Sequence, residues 1–361
     1  MNKNRFSILN HILAIAVPIT VGIMVQTGYH VINAFWVGRV GAEAVAVVTI
    51  AFPVNLFLIS LGSGLSVASS ILIAQSHGAK NFKKINHLAA QTLSGMCVLG
   101  IALSFLGFIL APFILHLMGT DTAIYSDSLE YLRITFIGSI FVFLSLCYQA
   151  ILRGLGEATA PLLVIVPSVL LNAILDPIFI FGWGPMPGLG VQGAAYATVL
   201  TQCLTAMAGI YLMYRPRYHL QLNFSQFFPH WQTMLALLRI GIPASVEQSL
   251  GALTVSVMTF LASSYGTIAL ASYGIVFRLM TFVVIPIVGV SMAVSILLGR
   301  SLGEGDTRQA QRIALEASVL NFIMMLFLAA GLIVAAEFIA GLFVPDEQEL
   351  IHYCAGVLQI F

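Results

Sequence analysis

One acidic side chain, Asp176, lies well inside the apolar stretches of the first half of the sequence. A charge at the centre of a bilayer costs about 2.5 to 3.5 kcal/mol on insertion scales, so such residues usually face a cavity and work there. Asn172 lies one helical turn earlier, on the same helix face. A carboxylate beside neutral oxygens can bind a dehydrated sodium ion, and the carboxylate alone can accept a proton. The alternative is an interfacial aspartate beside the helix-bending Pro177, because Asp176 lies only five residues before Phe181.

A second deep acid, Glu247, lies about 20 Å along the seventh apolar stretch, counted from Met234 at 1.5 Å per residue. As a functional group it would attract cations or bind a proton in the second half of the chain. The alternative is a protonated glutamate that is hydrogen-bonded between helices, with Gln248 beside it. On the functional interpretation, Glu247 is expected to line a substrate cavity between the helices.

The composition excludes several classes of protein. Of the 361 residues, 59% are hydrophobic and 8% are charged, and the mean hydropathy is +0.99. Soluble domains carry about 25% charged residues, so the chain is expected to be a membrane protein. A net charge of +1 leaves no basic excess for nucleic acid. No H-E-x-x-H, G-x-S-x-G or P-loop motif occurs in the sequence, so neither an enzyme nor an ATP-driven pump is predicted.

The cysteines give no sign of a disulfide framework or a metal site. None of the four is spaced as C-x-x-C, and each lies in an apolar stretch, which predicts buried thiols. The four are Cys97, Cys147, Cys203 and Cys354.

Long apolar stretches predict membrane-spanning helices, because backbone polar groups in lipid must be paired within their own segment. The nine complete stretches are Ile12–Val37, Ala44–Ala74, Leu88–Met118, Tyr131–Leu152, Ala158–Phe181, Val191–Met213, Met234–Ser263, Ala269–Leu298 and Ile313–Phe343. A tenth begins near Leu350 and is cut off at Phe361. The first stretch is too long for a signal-peptide core, so we expect it to be retained and the mature chain to start at Met1.

The distribution of Lys and Arg predicts the orientation. If loops are numbered alternately, 12 of the 15 Lys and Arg residues fall on the side of the N-terminus. Cytoplasmic loops carry this excess, so the N-terminus is expected in the cytoplasm of a bacterial plasma (inner) membrane. The acidic stretches Asp121–Glu130 and Asp346–Glu349 would then lie outside.

The sequence repeats itself at an offset of 225 residues. Gly64–Leu72 (GLSVASSIL) resembles Gly289–Leu297 (GVSMAVSIL), and prolines, glycines and loop boundaries coincide as well. An even number of helices separates the copies, so the repeat is parallel, as in transporters built from two halves. We therefore expect an all-α polytopic protein of two parallel six-helix repeats. Phe361 aligns with Phe136, which predicts that the chain given is truncated in helix 10.

Four stretches distributed along the first half resemble the multidrug and toxic compound extrusion (MATE) transporters. They are Asn33–Gly41 (NAFWVGRVG), Arg153–Pro161 (RGLGEATAP), Asn172–Gly182 (NAILDPIFIFG) and Gly190–Thr198 (GVQGAAYAT). The resemblance implies a twelve-helix fold with an N-terminal lobe (residues 1–218) and an incomplete C-terminal lobe (219–361). It implies a monomer in the lipid bilayer that exports bulky, often cationic or amphipathic drugs or toxic compounds. Export would be driven by inward movement of protons or sodium ions, with no other cofactor.

The resemblance also implies roles for individual residues. It assigns ion coupling to Asp176, Asn172, Asn33 and Thr198, with a possible sodium site at Asp176. Family members usually carry an aspartate where this chain has Asn33, so the site loses one negative charge, which should weaken sodium binding. Gln26 and Tyr29 match positions that line the drug cavity, and Pro18 matches the proline at which the first helix is thought to bend.

Three other readings stay open at the level of the sequence. The first is a flippase for lipid-linked sugars, which would need several basic residues in its cavity, whereas only Arg278 lies within a predicted span away from its ends. The second is a fragment that does not transport, because the last helices are missing. The third is a membrane enzyme or an inactive scaffold.

Overall fold

The computed structural model describes residues 2–184, 186–218, 220–222, 224–265 and 267–343. Nine long helices make up nearly all of this part of the chain: α1 (Asn2–Gly38), α2 (Ala42–Gly78), α3 (Phe82–Leu117), α4 (Thr122–Gly154), α5 (Thr159–Phe181), α6 (Gly190–Met213), α7 (Trp231–Ser264), α8 (Thr267–Gly303) and α9 (Thr307–Phe343). Each of the nine complete stretches predicted from the sequence corresponds to one of these helices. The predicted tenth stretch, Asp346–Glu349 and Cys354 lie outside the described residues.

Most of these helices are long and apolar enough to cross a membrane. Within the described residues, eight stretches of helix meet this requirement by length and composition, from Ile8–Gly38 to Thr307–Gly331. Short polar turns separate them, and the side chains of Asn81, Asp121 and Asp306 accept hydrogen bonds from backbone N–H groups at the starts of α3, α4 and α9. These caps satisfy donors that the helix itself leaves unpaired.

The turns alternate between two faces of the bundle. Most basic side chains of the described turns and helix ends lie on the face that carries the start of α1, which we call the basic face: Lys80, Lys83, Lys84, Arg153, Arg215, Arg217, Arg300, Arg308 and Arg312. The other face, called the opposite face, carries Arg39 and Asp121. It also carries an antiparallel pair of two-residue strands, β1 (Gly182–Trp183) and β2 (Met186–Pro187).

Helix α4 lies among α2, α3 and α6 and packs against all three. Aromatic side chains fill this core and small residues make room for them. A Cβ atom at Gly107 would collide with the Phe136 ring, and one at Gly209 would collide with the buried Tyr148 ring. Glycine therefore lets α3 and α6 approach α4 closely.

The described cysteines are all free thiols. Cys147 is buried, but Cys97 and Cys203 are only half-buried. The prediction of uniformly buried thiols was therefore wrong for these two residues. They lie on membrane-spanning helices, where an apolar surrounding is provided by lipid as well as by protein.

The predicted parallel repeat is confirmed by contacts that recur 225 residues apart. A Cβ atom at Gly64 of α2 would collide with Ser245 of α7, and a Cβ atom at Gly289 of α8 would collide with Thr20 of α1. Gly64 and Gly289 are repeat equivalents, and so are Thr20 and Ser245. The same small-residue contact thus occurs twice between α1–α6, which we call the first helical group, and α7–α9, which we call the second.

A second pair of equivalent contacts lies at the basic face. A Cβ atom at Gly78, at the end of α2, would collide with the carbonyl oxygen of Arg300 in α8. A Cβ atom at Gly303, at the end of α8, would collide with the carbonyl oxygen of Gln75 in α2. The ends of α2 and α8 are therefore packed backbone to backbone across an approximate two-fold axis.

Candidate functional site

The two polar residues of α5 are fully buried. Asp176 and Asn172 both have 0% exposed surface, on a helix that packs between α1 and α6. They lie in the half of the bundle nearer the opposite face, since α5 ends five residues later at Phe181. An aspartate of the membrane interface would be exposed to headgroups, whereas this side chain is enclosed by protein. The interfacial alternative is therefore not supported.

The buried polar atoms of these two side chains form no hydrogen bond of standard geometry with the described residues, although the Asn172 amide lies near enough to the Asp176 carboxyl to interact with it. This holds for both carboxyl oxygens of Asp176 and for the amide nitrogen and oxygen of Asn172. Buried polar groups in proteins are almost always paired, because an unpaired group loses the hydrogen bonds that water would provide. An unpaired carboxyl beside an unpaired amide oxygen is an arrangement that a proton or a small cation would complete.

Helices α1 and α6 bring further polar groups to this region. The Tyr29 hydroxyl donates a 2.8 Å hydrogen bond to Thr198 Oγ1, and the Asn33 amide approaches the same oxygen at 3.5 Å. Asn33 is buried with 8% exposed surface. Thr198 is thus joined to α1, and the described hydrogen bonds do not link it directly to Asp176. The carboxyl of Asp176 is close enough to the Tyr29 hydroxyl for an electrostatic interaction.

Tyr131 of α4 is a neighbour of the site that sequence reasoning missed. Its hydroxyl also lies within electrostatic range of the Asp176 carboxyl, and the side chain is buried. A tyrosine within an apolar helix is common, so nothing in the sequence distinguishes it from a core residue. Only the packing of α4 against its neighbours places it near Asp176.

A small polar cavity lies deeper in the first six helices. It has a volume of about 30 Å³, and eight polar residues line it: Gln26, Tyr29, Ser145, Gln149, Ser168, Thr201, Gln202 and Thr205. None of these side chains carries a formal charge at neutral pH. The lining therefore suits uncharged polar groups, and a volume of this size holds about one water molecule.

The predicted cavity residues Gln26 and Tyr29 share this cavity, and its six other polar residues were missed. A sequence signal for some of them exists on α6. Thr198, Thr201, Gln202 and Thr205 recur at the spacing of one helix face, which marks a polar stripe on an otherwise apolar helix. A polar stripe in a membrane helix is expected to face protein or an aqueous cavity.

Two predicted residues lie apart from this group. Glu247 is on α7 with an exposed side chain and does not line the cavity with Gln26 and Tyr29. Pro18 lies inside α1, which continues as a helix on both sides of it. Their roles in the substrate cavity and as a hinge stay predictions.

Replacing Tyr29 by Phe is expected to weaken the link between α1 and α6. A hydrogen bond between neutral groups contributes about 1 kcal/mol, so Tyr29→Phe should lower stability by about that amount. Thermal unfolding of the purified protein in detergent would measure the change. The control is Tyr211→Phe, whose ring is 70% exposed on α6 and should have no effect. Equal stability of the two variants would contradict the prediction.

The chain is similar to known proteins over most of its length. The MatE family model matches residues 18–178 and 243–361. A probable multidrug resistance protein, YoeA of Bacillus subtilis, is 32% identical over 364 residues, covering 99% of this chain and 78% of the relative. The multidrug export protein MepA of Staphylococcus saprophyticus is 25% identical, covering 91% of this chain and 72% of the relative. A crystal structure of MATE in the straight conformation superposes with a TM-score of 0.88 at 27% identity, covering 97% of this chain and 77% of that one.

Proposed function

The chain belongs to the MATE family of multi-pass, all-α membrane proteins, and from this membership we propose that it is a secondary active exporter. The proposed substrates are bulky, often cationic or amphipathic compounds. Inward movement of protons or sodium ions provides the driving force, and no chemical reaction is catalysed. The proposed lobes are residues 1–218 and 219–361.

One observation carries the proposal, namely the buried carboxyl of Asp176 beside the buried amide of Asn172, with no hydrogen-bond partner for either group in the described part of the chain. A negative charge at such a place is costly unless it is neutralised. Binding of a proton or a cation neutralises it, and release restores the cost. The bound and free forms therefore favour different surroundings for α5.

The hydrogen bonds of Thr198 support a link between this carboxyl and the small polar cavity. Tyr29 donates to Thr198 and also lines the cavity, and its hydroxyl lies within electrostatic range of the Asp176 carboxyl. A change of charge at Asp176 would therefore act on a side chain that touches both regions. In the proposed cycle, ion binding and substrate binding favour different positions of α1, so that one opposes the other.

We propose that the basic face is cytoplasmic and that the protein resides in the inner membrane. The excess of Lys and Arg on one set of turns supports this orientation. The lipid-linked sugar flippase is not favoured, because the cavity lining of uncharged side chains does not suit a pyrophosphate.

The function is tested by export of a fluorescent cationic dye. Cells that express the chain should accumulate less dye than cells with an empty vector, and dissipation of the proton and sodium gradients should remove the difference. Inside-out vesicles with either a proton or a sodium gradient would identify the coupling ion. Full membrane insertion without any gradient-dependent export would contradict the proposal and favour the alternative of a form that does not transport.

Restoring an acid at position 33 is expected to strengthen ion dependence. Asn33 is buried and its amide lies 3.5 Å from Thr198 Oγ1, so Asn33→Asp places a second negative charge in the same region. Dye export by the variant should respond more steeply to the ion gradient, and the ion concentration for half-maximal export should fall about threefold or more. Asn33→Leu is the control without charge. An unchanged response in Asn33→Asp would count against a shared site.

A further inference from the structure

Two helix–helix interfaces, which we call seams, hold the first helical group against the second. The α2–α7 seam contains the contact of Gly64 with Ser245, and the α1–α8 seam contains the equivalent contact of Gly289 with Thr20. Both seams are closed in the structure. Because the repeat relates them position by position, differences between the two seams can be compared directly.

The α2–α7 seam is crossed by hydrogen bonds. Three of them are between Ser60 Oγ and Ser249 Oγ (2.8 Å), from Ser63 Oγ to Gln248 Oε1 (3.1 Å), and from Ser245 Oγ to the carbonyl oxygen of Leu61 (3.1 Å). Ser60 is buried with 2% exposed surface. Polar pairs of this kind hold membrane helices together, since lipid offers no replacement partners.

The α1–α8 seam lacks the polar residues at the same positions. Ile285 and Val288 stand where α2 has Ser60 and Ser63, and Met24 and Ile23 stand where α7 has Ser249 and Gln248. These aliphatic side chains cannot form hydrogen bonds. Separating apolar helix surfaces in a bilayer costs little, because lipid tails replace the lost contacts.

At the basic-face end of the α2–α7 seam, the segment between α6 and α7 is hydrogen-bonded to α3 of the first helical group. Gln91 of α3 has 0% exposed surface and donates hydrogen bonds to the carbonyl oxygens of Gln226 (2.6 Å) and Phe228 (2.7 Å). The side-chain amide oxygen of Gln91, Oε1, accepts a hydrogen bond from the backbone N–H of His230 (2.8 Å). One side chain thus ties the start of α7 to the first helical group.

The corresponding end of the α1–α8 seam holds a cavity. It has a volume of about 280 Å³ and lies among α1, α8 and α9, with Ile8, Arg300 and Gln309 in its lining. Ile8 is the repeat equivalent of Thr233, whose hydroxyl bonds with His87 in the fastened seam. Thr233 is thus hydrogen-bonded on one side, and its equivalent Ile8 borders a cavity on the other.

We propose that the α2–α7 seam is the pivot of the transport cycle and that the passage at the basic face opens at the α1–α8 seam. This rests on the proposed function, since it assumes a cycle in which the basic face opens. The hydrogen bonds between α2 and α7 and the Gln91 contacts hold the pivot together. The α1–α8 seam, which has aliphatic side chains at the equivalent positions, separates when the passage opens. Substrates then enter beside α1, the helix that carries Gln26 and Tyr29.

Cysteine labelling tests the position of the passage without requiring transport. Thr20→Cys and Ser245→Cys are repeat equivalents and both native side chains are half-buried. Each is introduced after Cys97, Cys147, Cys203 and Cys354 have been replaced by Ser. A membrane-impermeant maleimide applied from the basic face under an imposed ion gradient should label Thr20→Cys about tenfold faster than Ser245→Cys. Equal rates, faster labelling of Ser245→Cys, or no labelling at either position would overturn the proposal.

Cross-linking tests the same proposal by function. Oxidised Ser60→Cys/Ser249→Cys, at a pair whose native oxygens lie 2.8 Å apart, should keep at least half of the export, because a bond across the pivot leaves the passage free to open. Oxidised Met24→Cys/Ile285→Cys should lose export about tenfold and regain it with a reductant. Loss in both pairs would indicate that both seams open and would overturn the pivot. Absence of export in the reduced proteins would instead count against the proposed function, and the labelling rates would still decide the position of the passage.

Discussion

Ion-driven export is expected to be lost when Asp176 is replaced by Asn. The amide has nearly the same shape but cannot gain or lose a proton at neutral pH and carries no charge to attract a cation. The native carboxyl is fully buried, and its neighbours Asn172, Tyr29 and Tyr131 are all neutral side chains at neutral pH, so none of them replaces its charge. Gradient-driven dye export should fall by about a hundredfold, toward the level of the empty vector.

The fold should tolerate this substitution. Removing a buried charge also removes its desolvation cost, so the thermal stability of Asp176→Asn should equal or exceed that of the unaltered protein. The control is Asp127→Asn on α4, where the exposed carboxylate only accepts a bond from Gln192. That variant should export normally. Energised export that persists in Asp176→Asn would show that coupling does not depend on this carboxyl.

Closure of the basic face should fail when Gly78 is replaced by Val. The new Cβ atom would collide with the backbone carbonyl oxygen of Arg300, which cannot rotate away as a side chain could. The ends of α2 and α8 must then separate, and the closed state should become rare. Export should fall about tenfold or more, with similar amounts of protein in the membrane. Gly303→Val, at the equivalent contact with Gln75, should have the same effect.

A glycine in open space provides the matched control for this effect. No atom lies within 4 Å of the position that a Cβ would occupy at Gly38, at the end of α1. Gly38→Val therefore tests the general cost of valine in place of a helical glycine. If Gly78→Val exports as well as Gly38→Val, the close contact of α2 with α8 is not needed for the cycle.

The sequence was sufficient to predict the helices and their repetition. A run of apolar residues long enough to span a bilayer has few alternatives to a helix, because lipid cannot pair with backbone groups. The recurrence of Gly64 at Gly289 marked the parallel repeat, and the structure places both residues in equivalent contacts. The four stretches that resemble the family, one of which contains Asn172 and Asp176, were sufficient for the family together with the repeat.

The partners of individual side chains could not be predicted in the same way. Asn33 and Thr198 were expected near Asp176 and Tyr29 in the drug cavity, but the bond of Tyr29 to Thr198 and the proximity of Tyr131 depend on how α1, α4 and α6 are rotated. In a soluble protein the apolar face of a helix indicates the direction of the core. In a membrane protein, lipid and core are both apolar, so this signal is weak, and depth alone does not tell which side of its helix Glu247 occupies.

The contrast between the two seams likewise could not be predicted from the sequence and became evident only in the tertiary structure. The sequence contains Ser60 and Ser249 on one side and Ile285 and Met24 on the other, but a serine in a membrane helix can also bond to its own backbone. Only the packing shows that two serine hydroxyls 2.8 Å apart join different helices. Local composition thus determined which segments span the membrane, whereas long-range packing decided which polar groups meet, because meeting requires two helices to be positioned at once.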